Sequence, residues 1–374
     1  MSAGLPWPLS VPVLSDGVVT LRAHVPGDVD PMLEMAHDPD MVRFTQVPTP
    51  HTREMSTDFA LRHVPEGWDT GTARGWAIEA EGGAGPSRFA GNIDLRGPVV
   101  ADLGYALHPV ARGRGIMTRA VRLATDWCFT EGGVQAIHWR AHVGNVASLR
   151  VAHACGFLLT AVVPSLLHER GRVLDAWTGV LRFGEVPYPR GPWTETGAVD
   201  GRSVSLRPMR EDDAPRVAEA YRDPELLHWI VGIPGPMTPD LARGVVAATA
   251  WHAARGERAT WTVADRATDQ LLGNVSVLDL AGVDPTAGEV AYWTHPDARD
   301  RGVLREALPL AIETAFSPDG LGLRRLTVAA AAGNTASLRL IEQNGFVRTG
   351  RQTAAEPLGD GTYADLLEFE LLRD

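Results

Sequence analysis

The chain repeats itself, and no other feature restricts its fold so strongly. Val19-Thr20-Leu21-Arg22 returns as Val204-Ser205-Leu206-Arg207, 185 positions on, and Asp38-Pro39 returns as Asp223-Pro224 at the same offset. Gly91-Asn92 returns as Gly273-Asn274, and His108-Pro109 as His295-Pro296. The longest match sets GNVASLR at Gly144–Arg150 against GNTASLR at Gly333–Arg339. The order is kept while the offset drifts from 182 to 189, as insertions and deletions in loops produce. Matches in this order exclude coincidence, and 374 residues suit two domains. Between the copies, Gly184–Ser203 carries three prolines and four glycines without apolar periodicity, which reads as a linker. The expected organisation is a first domain over 1–185, a linker over 186–202 and a second domain over 203–374.

Each copy shows the same coarse sequence of elements. A short alternating strand opens it (Val18–Ala23, Ser203–Arg207), and a helical stretch follows from near Asp28 or Asp212, whose carboxylate suits a helix start. Strands are expected at Gly75–Ala80, Phe89–Leu95 and Asp102–Leu107, and again at Thr260–Asp265, Gly273–Leu280 and Glu289–Thr294. A helix (Gly115–Thr130, Val303–Phe316), a strand (Ala136–Ala141, Arg325–Ala330) and a second helix (Val146–Cys155, Thr335–Asn344) follow. Gly156 and Gly345 stand where that helix should stop, and a hairpin closes each copy. The class is α/β, with one mixed central sheet per copy flanked by helices.

Composition narrows the function. No run approaches the roughly 20 apolar residues of a membrane span, and the opening MSAGLPWPLS has neither the basic patch nor the apolar core of a secretory leader. Two cysteines, Cys128 and Cys155, build no disulfide framework and no metal site, so the cytoplasm is the expected compartment. A net charge of −11 argues against nonspecific binding to nucleic acid or anionic membranes. All 35 basic residues are arginine, so lysine chemistry such as a Schiff base is excluded.

The chemistry is concentrated in His108-Pro109-Val110-Ala111-Arg112-Gly113-Arg114-Gly115-Ile116-Met117. A strand ends, a glycine- and arginine-rich loop follows, and a helix begins. Glycine lets backbone approach a ligand. The free N–H groups and dipole of a helix start favour an anion, and arginine adds a planar cation. This reads as a pyrophosphate cradle. It is not a Walker loop, because no Gly-Lys-Ser/Thr follows, and two glycines do not make a Rossmann fingerprint.

Strand, Arg-Gly-x-Gly loop (Arg299-Asp300-Arg301-Gly302 in copy two), helix, strand, Asn-x-x-Ser helix and Gly-Phe, in this order, resemble the GNAT superfamily of N-acetyltransferases. The Gly-Asn strand, Asp102-Leu103-Gly104-Tyr105 and the Asn-x-Ala-Ser-Leu-Arg run are similar to its ribosomal-protein-alanine acetyltransferase branch. The resemblance implies acetyl-CoA as cosubstrate, bound at Leu107, Arg112, Gly113, Arg114, Gly115, Ile116, Met117 and Asn145. In copy two the matching residues are Arg299, Arg301, Gly302, Val303 and Asn334. Met117 and Leu304 depart from the small residue usual at the sixth loop position, and Asp300 replaces Gly113. With Pro309 inside the following helix, where proline costs about 3 kcal/mol, copy two reads as the more degenerate copy.

The resemblance also implies that Ser148 and Ser337 assist the departing thiolate and that Asp102 and Glu289 accept the proton of the amine. Glu289 matches the related pattern better than Asp102, against the ranking of the copies. Each residue also has a plainer reading. The serines can bond their own helix backbone, the asparagines can be simple N-caps, and the carboxylates can face solvent or an arginine. His108 and His295 read as turn residues, Cys155 as structural, and Gly156-Phe157 and Gly345-Phe346 as helix stop and core aromatic. Trp68, Trp76, Arg43, Phe44 and His63 in copy one, and His228, Trp229, Trp251, Trp261 and His252 in copy two, are candidates for the acceptor side, although core packing explains most aromatics.

The expected function is direct transfer of an acetyl or related acyl group to a small-molecule amine in a ternary complex, by a monomer or homodimer, without a metal. The duplication and lysine-free composition are similar to acyltransferases of actinomycete specialised metabolism, such as antibiotic biosynthesis. The alternatives are a protein N-terminal acetyltransferase and a noncatalytic coenzyme A-binding or partner-binding scaffold.

Overall fold

The computed structural model describes residues 10–194, 197–233 and 236–373. The opening segment up to residue 9, on which the expectation of no secretory leader falls, and linker positions 195 and 196 lie outside the described residues. The chain divides into two compact units, Met1–Arg190 and Gly191–Asp374. No helix among the described residues is long and apolar enough to cross a membrane.

The first unit is built on an eight-stranded sheet. Its strands are β1 (Leu14–Ser15), β2 (Val19–Arg22), β3 (Ala73–Ala84), β4 (Phe89–Arg96), β5 (Val100–Leu107), β6 (Ala136–His142), β7 (Leu158–Glu169) and β8 (Arg172–Arg182). Their order is β1-β2-β3-β4-β5-β6-β8-β7. The second unit has β9 (Val199–Asp200), β10 (Val204–Pro208), β11 (Ala259–Asp265), β12 (Leu271–Leu278), β13 (Ala287–Thr294), β14 (Arg325–Ala331), β15 (Val347–Pro357) and β16 (Tyr363–Leu372). They run in the same order, β9-β10-β11-β12-β13-β14-β16-β15. All described pairings are antiparallel except β5 with β6 and β13 with β14.

The repeated Val-x-Leu-Arg explains itself in this fold. Val19 and Leu21, like Val204 and Leu206, turn into the core at period two. The arginine that follows makes a two-pronged ion pair with a buried carboxylate, Arg22 with Asp28 (2.9 and 3.0 Å) and Arg207 with Asp213 (both 2.9 Å). The helix-start carboxylate of copy two is therefore Asp213, one residue beyond the expected Asp212. Breaking such a buried pair typically costs about 3–5 kcal/mol, because one charge is left uncompensated.

The crossover helices Ile116–Thr130 and Val303–Phe316 bury one stripe each, with Ile116, Ala120, Val121, Ala124 and Cys128 on the first. Pro309 lies on the exposed side of the second helix, which continues through it. The expected single helical stretch after β2 is several pieces: Val29–Ala36, Pro39–Phe44, Arg53–Asp58, a π-helical Phe59–His63 and Val64–Thr70. In copy two they are Ala214–Ala220, Pro224–Trp229 and Pro239–Ala254. The Pro/Gly-rich stretch between the copies carries fixed structure at both ends. Arg122 donates to the Pro187 carbonyl (3.0 Å) and stacks on Tyr188, while β9 pairs with β10.

Candidate active site

The one parallel pair in each described sheet opens partway. β5 pairs with β6 only from Val100↔Ala136 to Leu103↔Trp139, although β5 runs on to Leu107 and β6 to His142. β13 pairs with β14 only over Ala287–Glu289, although β13 continues to Thr294. Beyond those points each strand keeps its antiparallel neighbour on the outer side. The facing edges therefore present backbone N–H and C=O groups to a slot, groups that demand partners.

The glycine- and arginine-rich loop stands at the mouth of that slot. Gly113 and Gly115 have φ of 73° and 71°, and Asp300 and Gly302 have 58° and 72°, so both loops use the same left-handed geometry. A Cβ at Gly113, Gly115 or Gly302 meets nothing within 4 Å. No side chain caps the helix starting at Ile116 or that at Val303, so their first N–H groups are available to an anion. Ile116, Met117 and Val303 bury their side chains, leaving only backbone for a ligand. Arg114 donates to the Glu81 carbonyl (2.7 Å), and Arg301 lies 3.7 Å from Asp265. The Arg112 guanidinium is committed to Asp38 and Asp40 (3.1 Å to the latter), and Arg299 to Asp223 and Glu225 (2.8 Å to the latter). The open cradle, uncapped helix starts and parted strands fit a pyrophosphate with an extended arm, held by backbone.

Beside each slot the two hydroxyls of the shared pattern meet. The Tyr105 hydroxyl lies 2.9 Å from Ser148 Oγ and 3.2 Å from the Ser148 carbonyl, and Tyr292 lies 2.8 Å from Ser337 Oγ. In copy one Trp139 Nε1 donates to both oxygens, at 3.1 Å to Tyr105 and 3.0 Å to Ser148. Burial pushes the Tyr105 phenol well above its usual value, against the pull of Ser148 and Trp139. Tyr105 thus stays protonated and can donate to Ser148, leaving the serine proton for a group in the slot. Asn145 and Asn334 cap the following helices, each Oδ1 accepting from the serine N–H at 3.1 Å.

The two strand carboxylates differ. Asp102 pairs with Arg140 (2.9 Å). Counting back from the matched Gly144 and Gly333, the residue at the Arg140 position of copy two is Ala329. Partial burial, then the charges of Asp279 and Glu356, raise the Glu289 carboxyl above its ordinary value. Asp94, opposite Gly104 on β4, is likewise raised by burial despite Arg96 at 3.1 Å.

The structure gives the other candidates the following neighbours. His108 and His295 accept from the N–H two residues on, at the start of a short helical turn. Cys155 and Cys128 are buried and their thiols pushed up to about 12, so neither supplies a thiolate at neutral pH. Gly156 and Gly345 end helices with positive φ, and Phe157 and Phe346 are core residues. Trp68 and Trp76 form a buried edge-to-face cluster with Trp127, and Trp251 and Trp261 are buried. Arg43 stacks on Phe44, whose ring meets His142 edge-on; His63 stacks on Phe59, and His252 binds Glu257. His228 packs on Trp229 and lies 4.0 Å from Asp360 in the hairpin turn of copy two.

Sequence reasoning missed Trp139, Arg140, Asp94 and Arg170. Trp139 and Arg140 are matched by Val328 and Ala329, so the internal repeat gives no signal for them. Arg170, in the turn between β7 and β8, donates to the carbonyls of Val42 (2.6 Å), Thr45 (2.9 Å) and Val47 (2.8 Å).

With this geometry in hand, comparison with known proteins is direct. The acetyltransferase (GNAT) domain profile matches residues 19–158 and 203–347. YdaF of Bacillus subtilis (strain 168), named for ribosomal N-acetylation, is 25% identical over 172 residues, 46% of this chain and 91% of that protein. A second B. subtilis protein, YjcK, named as an N-acetyltransferase, is 37% identical over 79 residues, 20% of this chain and 44% of that one. Among solved structures, a ribosomal-protein-alanine acetyltransferase from Vibrio fischeri gives a TM-score of 0.44 at 19% identity, spanning 48% of this chain and 98% of that one. A ribosomal alpha-N-protein acetyltransferase solved with coenzyme A gives 0.42 at 19%, spanning 48% and 99%.

Proposed function

Because the chain belongs to the acetyltransferase (GNAT) family, matched twice over well over half its length, we propose that it transfers an acetyl group from acetyl-CoA to the amine of a small metabolite by direct attack in a ternary complex. The observation that carries this reading is the parted strand pair with an uncapped, left-handed loop at its mouth, built twice. Acetyl-CoA would supply an activated thioester whose acyl carbon an amine can attack. Loop backbone around Gly113 and Gly115, or Asp300 and Gly302, would hold its pyrophosphate.

The chain's own groups then have defined tasks. The edge of β5 or β13 can donate backbone N–H groups to a carbonyl oxygen in the slot. Ser148 or Ser337 can donate a hydrogen bond to a leaving thiolate, with Tyr105 or Tyr292 orienting the hydroxyl. Glu289, lacking an arginine partner at its matched position, is the better placed carboxylate to take the amine proton, directly or through water. Holding both reactants in one slot supplies much of the rate, and no covalent intermediate is required.

A small acceptor is favoured by the hydrogen bonds that join the hairpin turn to the short helix in each copy. Arg170 fastens the β7–β8 turn onto the carbonyls of Val42, Thr45 and Val47, and Gly359 N–H bonds the His228 carbonyl (2.9 Å). The name of the YdaF relative, a ribosomal N-acetyltransferase, favours a protein acceptor instead. A cytoplasmic setting accords with the two unpaired, buried cysteines.

The test is thiol release from acetyl-CoA by the purified chain, against a panel of small amines and of peptides with free N-termini. Release with small amines and not with peptides supports the proposal. Release with peptides alone moves the acceptor to a protein N-terminus. Coenzyme binding without release to either panel would favour a noncatalytic scaffold.

A further inference from the structure

The repeated Asp-Pro, which the reaction above leaves unexplained, begins a short helix in each copy: Pro39–Phe44 and Pro224–Trp229. Asp38 caps the first, accepting from Met41 N–H (3.0 Å), and Asp223 caps the second, accepting from Leu226 N–H (2.8 Å). The same two carboxylates receive the loop arginines, Arg112 and Arg299. A second acid two residues on, Asp40 or Glu225, takes the other guanidinium nitrogen. Although partial burial works against it, the arginine and backbone N–H bonds hold Asp38 and Asp223 below the ordinary carboxylate range.

The far end of each short helix meets the closing hairpin, by different chemistry in the two copies. In copy one Arg170 grips Val42, Thr45 and Val47. In copy two the Gly359 N–H bonds the His228 carbonyl, with Asp360 near the His228 ring. Six helical residues span about 9 Å, so one rigid piece joins the phosphate loop to the hairpin turn. The loop end of this strut is kept in both copies while its hairpin end is rebuilt, which marks the connection itself as the common element.

We propose that Arg112 and Arg299 are positioning residues, each tying its phosphate loop through a short helical strut to the hairpin turn, so that loading the loop sets the acceptor end. The proposal deepens the acetyltransferase reading and rests on coenzyme binding at the loop. Its consequence is order: the coenzyme-loaded copy presents a settled acceptor end, and the empty copy does not.

Hydrogen–deuterium exchange of the full chain, with and without coenzyme A, tests this without requiring an acceptor. In the wild type, coenzyme A should slow exchange at the loop (112–118) and also at the hairpin turn (165–173). In Arg112→Gln the loop response should persist, while the turn response falls about 5-fold or more. The copy-two turn (358–362) should respond as in the wild type, which reports that the variant is folded. Arg112→Lys, which keeps the charge but loses the fork, should restore part of the response. Should Arg112→Gln not fold, Asp40→Asn removes one arm of the contact and leaves the cap, and should weaken the turn response in the same direction. An undiminished turn response in these variants would overturn the coupling. Loss of the loop response in Arg112→Gln would make Arg112 a phosphate ligand, also against the proposal. No loop response in the wild type would instead remove the coenzyme reading beneath it.

Discussion

In copy one the carboxylate on the slot strand, Asp102, lies 2.9 Å from a guanidinium of Arg140, and an indole N–H from Trp139 feeds the Tyr105–Ser148 pair. In copy two the Arg140 and Trp139 positions hold Ala329 and Val328, and Glu289 has Asp279 and Glu356 as charged neighbours. The slots and the loop ends of the struts agree between the copies, so at the slot the difference falls on proton handling. Copy one has the better ordered proton donor. Copy two has a carboxylate whose value partial burial and two acidic neighbours raise. Two sites built alike can diverge by exchanging one neighbour of each reacting group, without any change of fold.

The largest effect expected separates the copies outright. Gly115→Glu and Gly302→Glu each place a carboxylate where the cradle faces an anion, at a left-handed position that tolerates no such side chain well. Calorimetric titration with acetyl-CoA should show about two sites in the wild type and about one in either variant. A single site abolished by one substitution alone would end the equivalence of the loops.

Next comes the proton acceptor. With copy one silenced by Gly115→Glu, Glu289→Gln should lower the acetyl-transfer rate by about 10²–10⁴-fold. As the proposed proton acceptor Glu289 must be ionised, and its value is raised by partial burial and by Asp279 and Glu356. The copy-two rate should therefore fall as pH drops through a value above that of ordinary glutamate, and Glu289→Gln should flatten this limb. The stability sign is opposite. A raised folded-state value means stability is lost as pH rises through it, so Glu289→Gln should raise the thermal midpoint at neutral pH. A rate limb unchanged by Glu289→Gln would place the proton acceptor elsewhere.

A smaller effect belongs to Trp139. Trp139→Phe removes a donor shared by two oxygens and should cost about 1 kcal/mol in chemical denaturation. It should slow copy-one turnover while leaving copy two untouched. Equal slowing of both copies would show that the indole acts through general stability alone. Smallest of all, Asp300→Gly relieves a side chain at φ 58° and should stabilise the chain by about 1 kcal/mol or less. It should also strengthen coenzyme binding at copy two slightly, by removing a negative charge near the phosphates.

Much of this architecture is written locally. The strand and helix bounds of both copies follow period-two and period-3.6 patterns, and Gly156 and Gly345 stop their helices as their positive φ requires. The helices between β2 and β3 were not legible, because they are short, broken by prolines and fitted to the sheet face rather than to an amphipathic period. At the site, Ser148 and Tyr105 could be found from the repeat. Their meeting at 2.9 Å could not, since it joins residues 43 positions apart. Arg112 shows the sharper limit. A loop arginine beside glycines has the right chemistry for phosphate, yet the carboxylates that claim it lie more than 70 positions earlier and only the fold brings them near. Pro309 and Asp300 set copy two apart in sequence; the helix runs through the first, and the second keeps the loop's left-handed turn.

The lone parallel pair in each described sheet has a consequence for inheritance. Parallel neighbours need a crossover, and the chain must leave the first strand at its C-terminal end to re-enter the second at its N-terminal end. The strands part at their C-terminal ends, so the crossover begins where the slot opens. Connectivity alone therefore keeps the anion-facing turn beside the slot. Loops elsewhere can lengthen, shrink or be cut and rejoined without separating the two. A duplicated gene hands on the pair as one unit, which leaves the acid, the base and the hairpin free to drift.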